Sequence, residues 1–201
     1  MELFLATENT HKRDELKEIL KGHTILLPSE KGISFSCEET GTTYFENAYL
    51  KAKTLYDTVR RPVLADDSGL SVAALDGAPG IYSARYGSTE EGVKRTDRER
   101  NEYLLNTLKK QPGQPQKQAF FVACLVLICG DYRFFCVQET VEGEITHTPR
   151  GENGFGYDPV FYLPSYGKTT AELSPEEKNR ISHRGKAGKK IKLILDDPDK
   201  A

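Results

Sequence analysis

Apolar positions along this chain switch between strand-like runs and helical spacing, with polar turns between them. Glu2 to Ala6 reads as a short strand, the polar stretch Thr7 to Lys12 follows, and Leu16, Ile19 and Leu20 then recur at helical spacing. Strand, polar turn and helix in that order aim a helix N-terminus at whatever lies beyond the strand. Thr43 and Glu46 have the spacing of a capping box and predict a second helix, with Phe45, Ala48, Ala52 and Leu55 on its apolar face. Pro62 to Ala65 reads as a short buried strand that ends at the acidic pair Asp66-Asp67. Residues 73–87 are rich in Gly, Ala and Pro and read as loop with short turns. Ser88 with Glu91 predicts a cap before a polar helix running to about Lys109.

Beyond a short surface connection at residues 111–116, Phe120 to Cys129 is a continuous apolar strand. Gly130-Asp131 turns it, and Tyr132 to Val141 returns as its hairpin partner. Residues 151–158 are Gly-rich, and Pro159 to Leu163 is apolar again. Ser174-Pro175-Glu176-Glu177 combines an N-cap, a proline at the first helical position and a box-closing Glu, which predicts a helix start. A final basic helix carries Ala187, Ile191, Ile194 and Leu195. Strands and helices interspersed in this way predict a mixed α/β protein.

At 201 residues the chain suits one domain, 1–201, large enough for a sizeable core and able to carry two lobes. A net charge of −2 argues against general nucleic-acid binding, although an anionic substrate is compatible with a local cluster of cations. The four cysteines, Cys37, Cys124, Cys129 and Cys136, form no CxxC pair and lack a nearby His at zinc-ligand spacing. They read as buried, reduced thiols suited to a cytosol. The N-terminus has no signal-peptide pattern, and no apolar run approaches the roughly 20 residues that cross a bilayer. The expectation is a cytoplasmic protein without nucleic-acid or membrane partners.

Four places could carry chemistry. Asp66 and Asp67 sit at a strand's carboxyl end, where open α/β sheets place ligands, and carboxylate oxygens suit a hard cation such as Mg²⁺. Adjacent residues of a strand face opposite ways, so the two need not share a task. An Asx-type turn explains Asp-Asp-Ser-Gly equally well. Glu38-Glu39-Thr40-Gly41 adds carboxylates from a second segment. Thr7, Asn9 and Lys12 surround a helix N-terminus, where free N–H groups and the helix dipole favour an anion; plain N-capping by Asn9 is the competing explanation. Lys51 lies on the second helix, where most lysines only solvate a face. Gly151 to Asp158 combines three glycines with Phe155 and Tyr157, which could stack on a base or sit in the core. Lys178 and Ser182-His183-Arg184 place basic donors at helix ends, which also suits the helix dipole.

Taken together and in this order, these segments resemble the inosine/xanthosine triphosphate pyrophosphatase family, the non-canonical purine nucleoside triphosphate pyrophosphatases. The matching blocks are Leu5 to Lys12, Glu38 to Gly41, Phe45 to Ala48, Lys51-Ala52, Ala65 to Leu70, Gly77 to Tyr86, Gly154 to Pro159, Glu177-Lys178 and Ser182 to Arg184. They span nearly the whole chain, and those at Gly77–Tyr86 and Gly154–Pro159 are the most specific.

The resemblance implies an elongated, mixed-sheet α/β fold with two lobes around a central nucleotide cleft, a homodimer and a Mg²⁺ cofactor. It implies hydrolysis of ITP, dITP and XTP to the monophosphate and pyrophosphate, which cleanses the nucleotide pool. Asp67 matches the catalytic carboxylate and metal ligand, and Glu39 a second metal-site carboxylate. Thr7, Glu8, Asn9, Thr10, His11 and Lys12 match the phosphate-binding block, with Glu8 at a variable position expected to point outward. Lys51 and Ser68 match further substrate contacts. Phe155, Gly156, Tyr157, Asp158, Lys178, His183 and Arg184 match the nucleoside pocket, and donation from His183 or Arg184 to a purine 6-oxygen would favour inosine over adenosine.

Overall fold

The computed structural model describes residues 1–88, 95–113 and 117–197. Seven strands form one mixed sheet: β1 (Glu2–Leu5), β2 (Thr24–Leu26), β3 (Val63–Val72), β4 (Gln118–Gly130), β5 (Arg133–Ile145), β6 (Phe161–Leu163) and β7 (Lys168–Thr169). Their order across the sheet is β2-β1-β3-β4-β5-β6-β7. Five α-helices accompany them among the described residues: α1 (Thr10–Ile19), α2 (Tyr44–Val59), α3 (Asp97–Lys109), α4 (Pro175–Ile181) and α5 (His183–Leu195). The mixed α/β class therefore holds. The chain divides into two compact units, one of residues 1–68, 123–139 and 181–201, the other of residues 69–122 and 140–180.

The first unit is a three-layer sandwich, and strand alternation sorts its side chains. On β1, Leu3 and Leu5 face Leu16 and Leu20 of α1 and Ala187, Ile191 and Leu195 of α5. Phe4 and the following Ala6 face the other way, toward Ala48, Ala52 and Leu55 of α2. The start of β3 obeys the same rule: Leu64 joins the α1/α5 layer, while Val63 and Ala65 join the α2 layer. β1 pairs in parallel with both β2 and β3, as buried strands flanked by helices do. Gly188 of α5 lies so close to α1 that a Cβ there would sit 2.7 Å from Ile19 Cγ2, so glycine sets the spacing of the two helices.

The second unit closes with β6 and β7, which extend the sheet from β5 in antiparallel register. Phe121 and Phe161 pack with ring centroids 4.4 Å apart. Gly143 lies where a Cβ would meet the carbonyl of Tyr162 at 2.5 Å, so the pairing of β5 with β6 requires a bare backbone there.

Several sequence expectations change in the structure. β3 does not stop at the acidic pair but runs on to Val72, because Asp66 and Asp67 stay extended with buried partners. The cap of α3 is Thr96 with Glu99, not Ser88 with Glu91, and Glu91 lies outside the described residues. Thr96 lies next to the first helical residue and closes a full box with Glu99, which Ser88, eight residues earlier, could not do. Phe45 is exposed rather than part of the α2 core face. β2 was not anticipated. Of the cysteines, Cys124 alone is buried; Cys136 is exposed with its Sγ 3.6 Å from that of Cys124, and all four are free thiols. The boxes of α2 and α4 are present as expected.

Candidate active site

The acidic pair of β3 continues the alternation that sorts the core. Asp66 follows Leu64 toward the α1/α5 layer and meets Lys12 and Arg184 there. Asp67 follows Ala65 toward α2 and meets Lys51. The two adjacent carboxylates thus pair with different cations.

Asp66 is fully buried and has two cations. Lys12 Nζ lies 2.7 Å from Oδ1, and Arg184 Nε donates to Oδ2 at 2.7 Å. Arg184 is itself buried; its Nη1 donates to Glu15 at 2.7 Å and its Nη2 to Ser68 Oγ at 2.8 Å. Burial alone would raise the Asp66 carboxyl, but Arg184 and Lys12 together hold it well below the usual carboxylate range. For Lys12 the balance falls the other way: burial dominates, with Lys51 and Arg184 adding repulsion, and its ammonium is pushed below the usual lysine value despite Asp66.

Asp67 shares a single cation. Lys51 Nζ donates to Asp67 Oδ1 at 2.8 Å, to Glu39 at 2.7 Å and to the main-chain carbonyl of Asp66 at 2.9 Å. With two carboxylates around it, Lys51 is held above its ordinary value against the effect of burial. Burial raises Asp67, and the attraction of Lys51 and, less, of Lys12, with Glu39 repelling, does not reverse that. Its second oxygen, Oδ2, is buried without a hydrogen-bond partner among the described residues. Glu39 reaches the lysine because Gly41 packs against the start of α2, where a Cβ would meet Glu46 and Asn47. The Gly41 amide donates to Asn47 Oδ1 at 2.8 Å.

This second network fits a hard divalent cation. It gathers two carboxylates around one ammonium, and one buried carboxylate oxygen, Asp67 Oδ2, has no hydrogen-bond partner among the described residues. Mg²⁺ takes one or two protein carboxylates and completes its shell from water and phosphate. Among the described residues no three His, Cys, Asp or Glu side chains gather as a self-sufficient metal cage.

At the start of α1, Asn9 is the N-cap and accepts from the Lys12 amide at 3.1 Å, while Thr7 Oγ1 accepts from the Asn9 amide at 3.1 Å. Glu8, Asn9, Thr10 and His11 are exposed. Capping and anion binding are compatible here, because Asn9 satisfies only one of the free N–H groups of the first turn.

In the second unit, Asp158 is buried and accepts from the Phe155 amide at 2.8 Å, Thr170 Oγ1 at 2.9 Å and Lys178 Nζ at 2.5 Å. Lys178 Nζ lies 4.8 Å from the centroid of the Phe155 ring. Tyr157 is a buried structural residue whose hydroxyl donates to the Ser83 carbonyl at 2.9 Å. Gly156 is held at both ends of its peptide unit: its amide donates to Asp97 at 2.5 Å and its carbonyl accepts from Asn101 at 3.0 Å. His183 is the first residue of α5 and is buried.

Sequence reading did not single out Glu15, Asp97 or Asn101. Glu15 had a usable signal, since it stands three residues after Lys12 and so shares a helix face with it. Asp97 and Asn101 carry no such mark, for each looks like an ordinary residue of a polar helix.

Two lysines, a buried carboxylate of raised proton affinity and a second carboxylate lie together here, an arrangement that is compatible with hydrolysis of a phosphoanhydride. The chain belongs to the Ham1 family, whose profile matches residues 3–194. It is 52% identical over 187 residues to a dITP/XTP pyrophosphatase of Treponema denticola, covering 93% of this chain and 94% of that one. Its identity to the dITP/XTP pyrophosphatase of Aquifex aeolicus is 47% over 208 residues, with both chains fully covered. Among solved structures, a HAM1 protein from Coxiella burnetii superposes with a TM-score of 0.87 at 40% identity over 98% of each chain. The Ham1 protein of Staphylococcus aureus gives 0.83, also at 40% identity and 98% of each chain.

Proposed function

We propose that this protein hydrolyses non-canonical purine nucleoside triphosphates, dITP, ITP and XTP, to the monophosphate and pyrophosphate, and so clears deaminated purines from the nucleotide pool. The observation that carries the reading is the division of Asp66 and Asp67 between different cations: Asp66 fixes Lys12 and Arg184, and Asp67 shares Lys51 with Glu39. The identity to dITP/XTP pyrophosphatases along the full chain supports the choice of substrate.

In the proposed reaction water attacks the α-phosphorus, the bond from that phosphorus to the bridging oxygen breaks, and pyrophosphate leaves. Asp67 accepts the proton of the attacking water, a role that suits a carboxylate whose proton affinity burial has raised. Lys12 and Lys51 neutralise charge on the phosphates, since phosphoryl chemistry depends on positioning and electrostatics. Asp67 and Glu39 would hold Mg²⁺, which when bound supplies a Lewis acid for the phosphate oxygens and makes water more acidic. Thr7 to Lys12, Lys51 and Ser68 are assigned to the triphosphate. Phe155 to Asp158, Lys178 and His183 are assigned to the nucleoside. Donation to the purine 6-oxygen is assigned to His183 or Arg184, the guanidinium also donating to Asp66, Glu15 and Ser68.

The same reading makes the enzyme a cytoplasmic homodimer acting as one catalytic domain over residues 1–201. The compartment is part of the same reading; no helix among the described residues is long and apolar enough to cross a membrane. Support for the dimer is the family resemblance, and sedimentation of the purified protein tests it. The activity is tested by measuring pyrophosphate and orthophosphate release from dITP, ITP, XTP, GTP and ATP, with and without Mg²⁺. Pyrophosphate release confined to the first three and abolished by chelation is the expected result. Release of orthophosphate alone would overturn the reading.

A further inference from the structure

We propose that Glu15 is a positioning residue for the reaction: through Arg184 it fixes the Asp66 carboxylate, and through Asp66 the ammonium of Lys12. The proposal rests on the functional reading given above.

The chain of contacts is Glu15 to Arg184 Nη1 at 2.7 Å, Arg184 Nε to Asp66 at 2.7 Å, and Asp66 to Lys12 Nζ at 2.7 Å. Its charges alternate, minus, plus, minus, plus, so the row is neutral as a whole. Without Glu15 it would carry a surplus positive charge on a guanidinium only 2% exposed. Asp66 would then be drawn more strongly toward Arg184, and Lys12 would lose part of its hold. Glu15 and Lys12 lie on the same face of α1 at a spacing of three, so one helix supplies both ends of the row. The approach of α5 to α1 is set one turn further on. Gly188 stands four residues after Arg184 and meets Ile19, four residues after Glu15. The glycine contact and the ion pair are thus successive rungs between the same two helices. Glu15 meets a buried arginine at 2.7 Å, and the row of contacts leads from that arginine through Asp66 to Lys12.

The test is a double-mutant cycle on the full-length protein, read as KM and kcat for dITP in Mg²⁺. Glu15→Gln keeps the shape and an acceptor while removing the charge. It is expected to raise KM about 10-fold and to change kcat by less than about 3-fold, within the range that coupled residues of one network show. In a Lys12→Gln background the same substitution is expected to leave KM unchanged, because the residue through which it acts is gone. Glu15→Asp, which keeps the charge, is expected to fall between wild type and Glu15→Gln, and it serves as the second variant if Glu15→Gln fails to fold. An equal rise in KM in both backgrounds, or none in the wild-type background, overturns the inference and leaves the functional reading intact. Wild-type protein that releases no pyrophosphate from dITP, ITP or XTP overturns both.

Discussion

Lys12 and Lys51 donate to the same main-chain oxygen, the carbonyl of Asp66, at 3.4 and 2.9 Å. They come from helices on opposite faces of the sheet, and the strand between them provides the shared acceptor. Two ammonium groups so placed repel each other, which is one reason Lys12 is held below its ordinary value. A polyphosphate is the kind of ligand that relieves such repulsion.

Each lysine is therefore expected to matter more in the reaction than in the fold. Lys12→Ala and Lys51→Ala should each lower kcat/KM for dITP by at least ~10²-fold, the lower range for removing one donor from developing charge. The double substitution should cost far less than the product of the two, because groups acting as a unit are not additive. Steady-state pyrophosphate release from the three variants measures this.

Asp67→Asn should lose at least ~10²-fold in kcat, as removal of a general base does. Its effect on stability has the opposite sign. A carboxyl raised in the folded state weakens the fold as pH rises above its unfolded value, because the folded protein has to hold the charge at a cost. Asn carries no charge, so thermal unfolding at neutral pH without added divalent cation should show a variant at least as stable as wild type. A mutant of near wild-type turnover would remove Asp67 from the mechanism.

Asp66 behaves in reverse. Its carboxyl titrates well below the usual 3.8 in the folded protein, so its ion pairs contribute fully above about that pH and are lost as pH falls through the folded value. Denaturant titrations below pH 4 should show a loss of stability that Asp66→Asn lacks. At neutral pH Asp66→Asn should cost about 3–5 kcal/mol, the price of leaving buried cations unpaired.

Arg184→Ala should lower activity toward dITP and ATP in the same proportion. The guanidinium donates to Asp66, Glu15 and Ser68, so its loss is expected to act through the placement of Lys12 as well. Parallel kcat/KM measurements on the two nucleotides decide this, and a changed ratio would return Arg184 to the recognition of the base.

Much of the frame was legible because local rules governed it. The Thr43–Glu46 and Ser174–Glu177 boxes announce their helices from side-chain chemistry alone, and so does the alternation that separates Asp66 from Asp67. Other parts depend on partners far away in sequence. Two aspartates ought to end a buried strand by any hydropathy argument, and β3 continues only because Lys12, Lys51 and Arg184 meet them from three helices. β2 is a three-residue edge strand whose Thr-Ile-Leu run is too short to distinguish from a helix end. Lys51 resembles a solvating lysine until α2 is laid against the sheet, which buries it to 8% exposure. Arg184 reads as a basic group at a helix end, and its bonds to Asp66, Glu15 and Ser68 appear only in the fold.

The ammonium of Lys51 has three hydrogens and three acceptors around it, in Glu39, Asp67 and the Asp66 carbonyl. Three acceptors converging on one small atom from different directions require a tetrahedral donor. The planar fork of an arginine, which is longer and spreads its hydrogens in one plane, cannot serve them from the same point. Charge at this position is thus inseparable from shape. Lys51→Arg, an exchange that preserves the charge, should behave as a loss of the lysine.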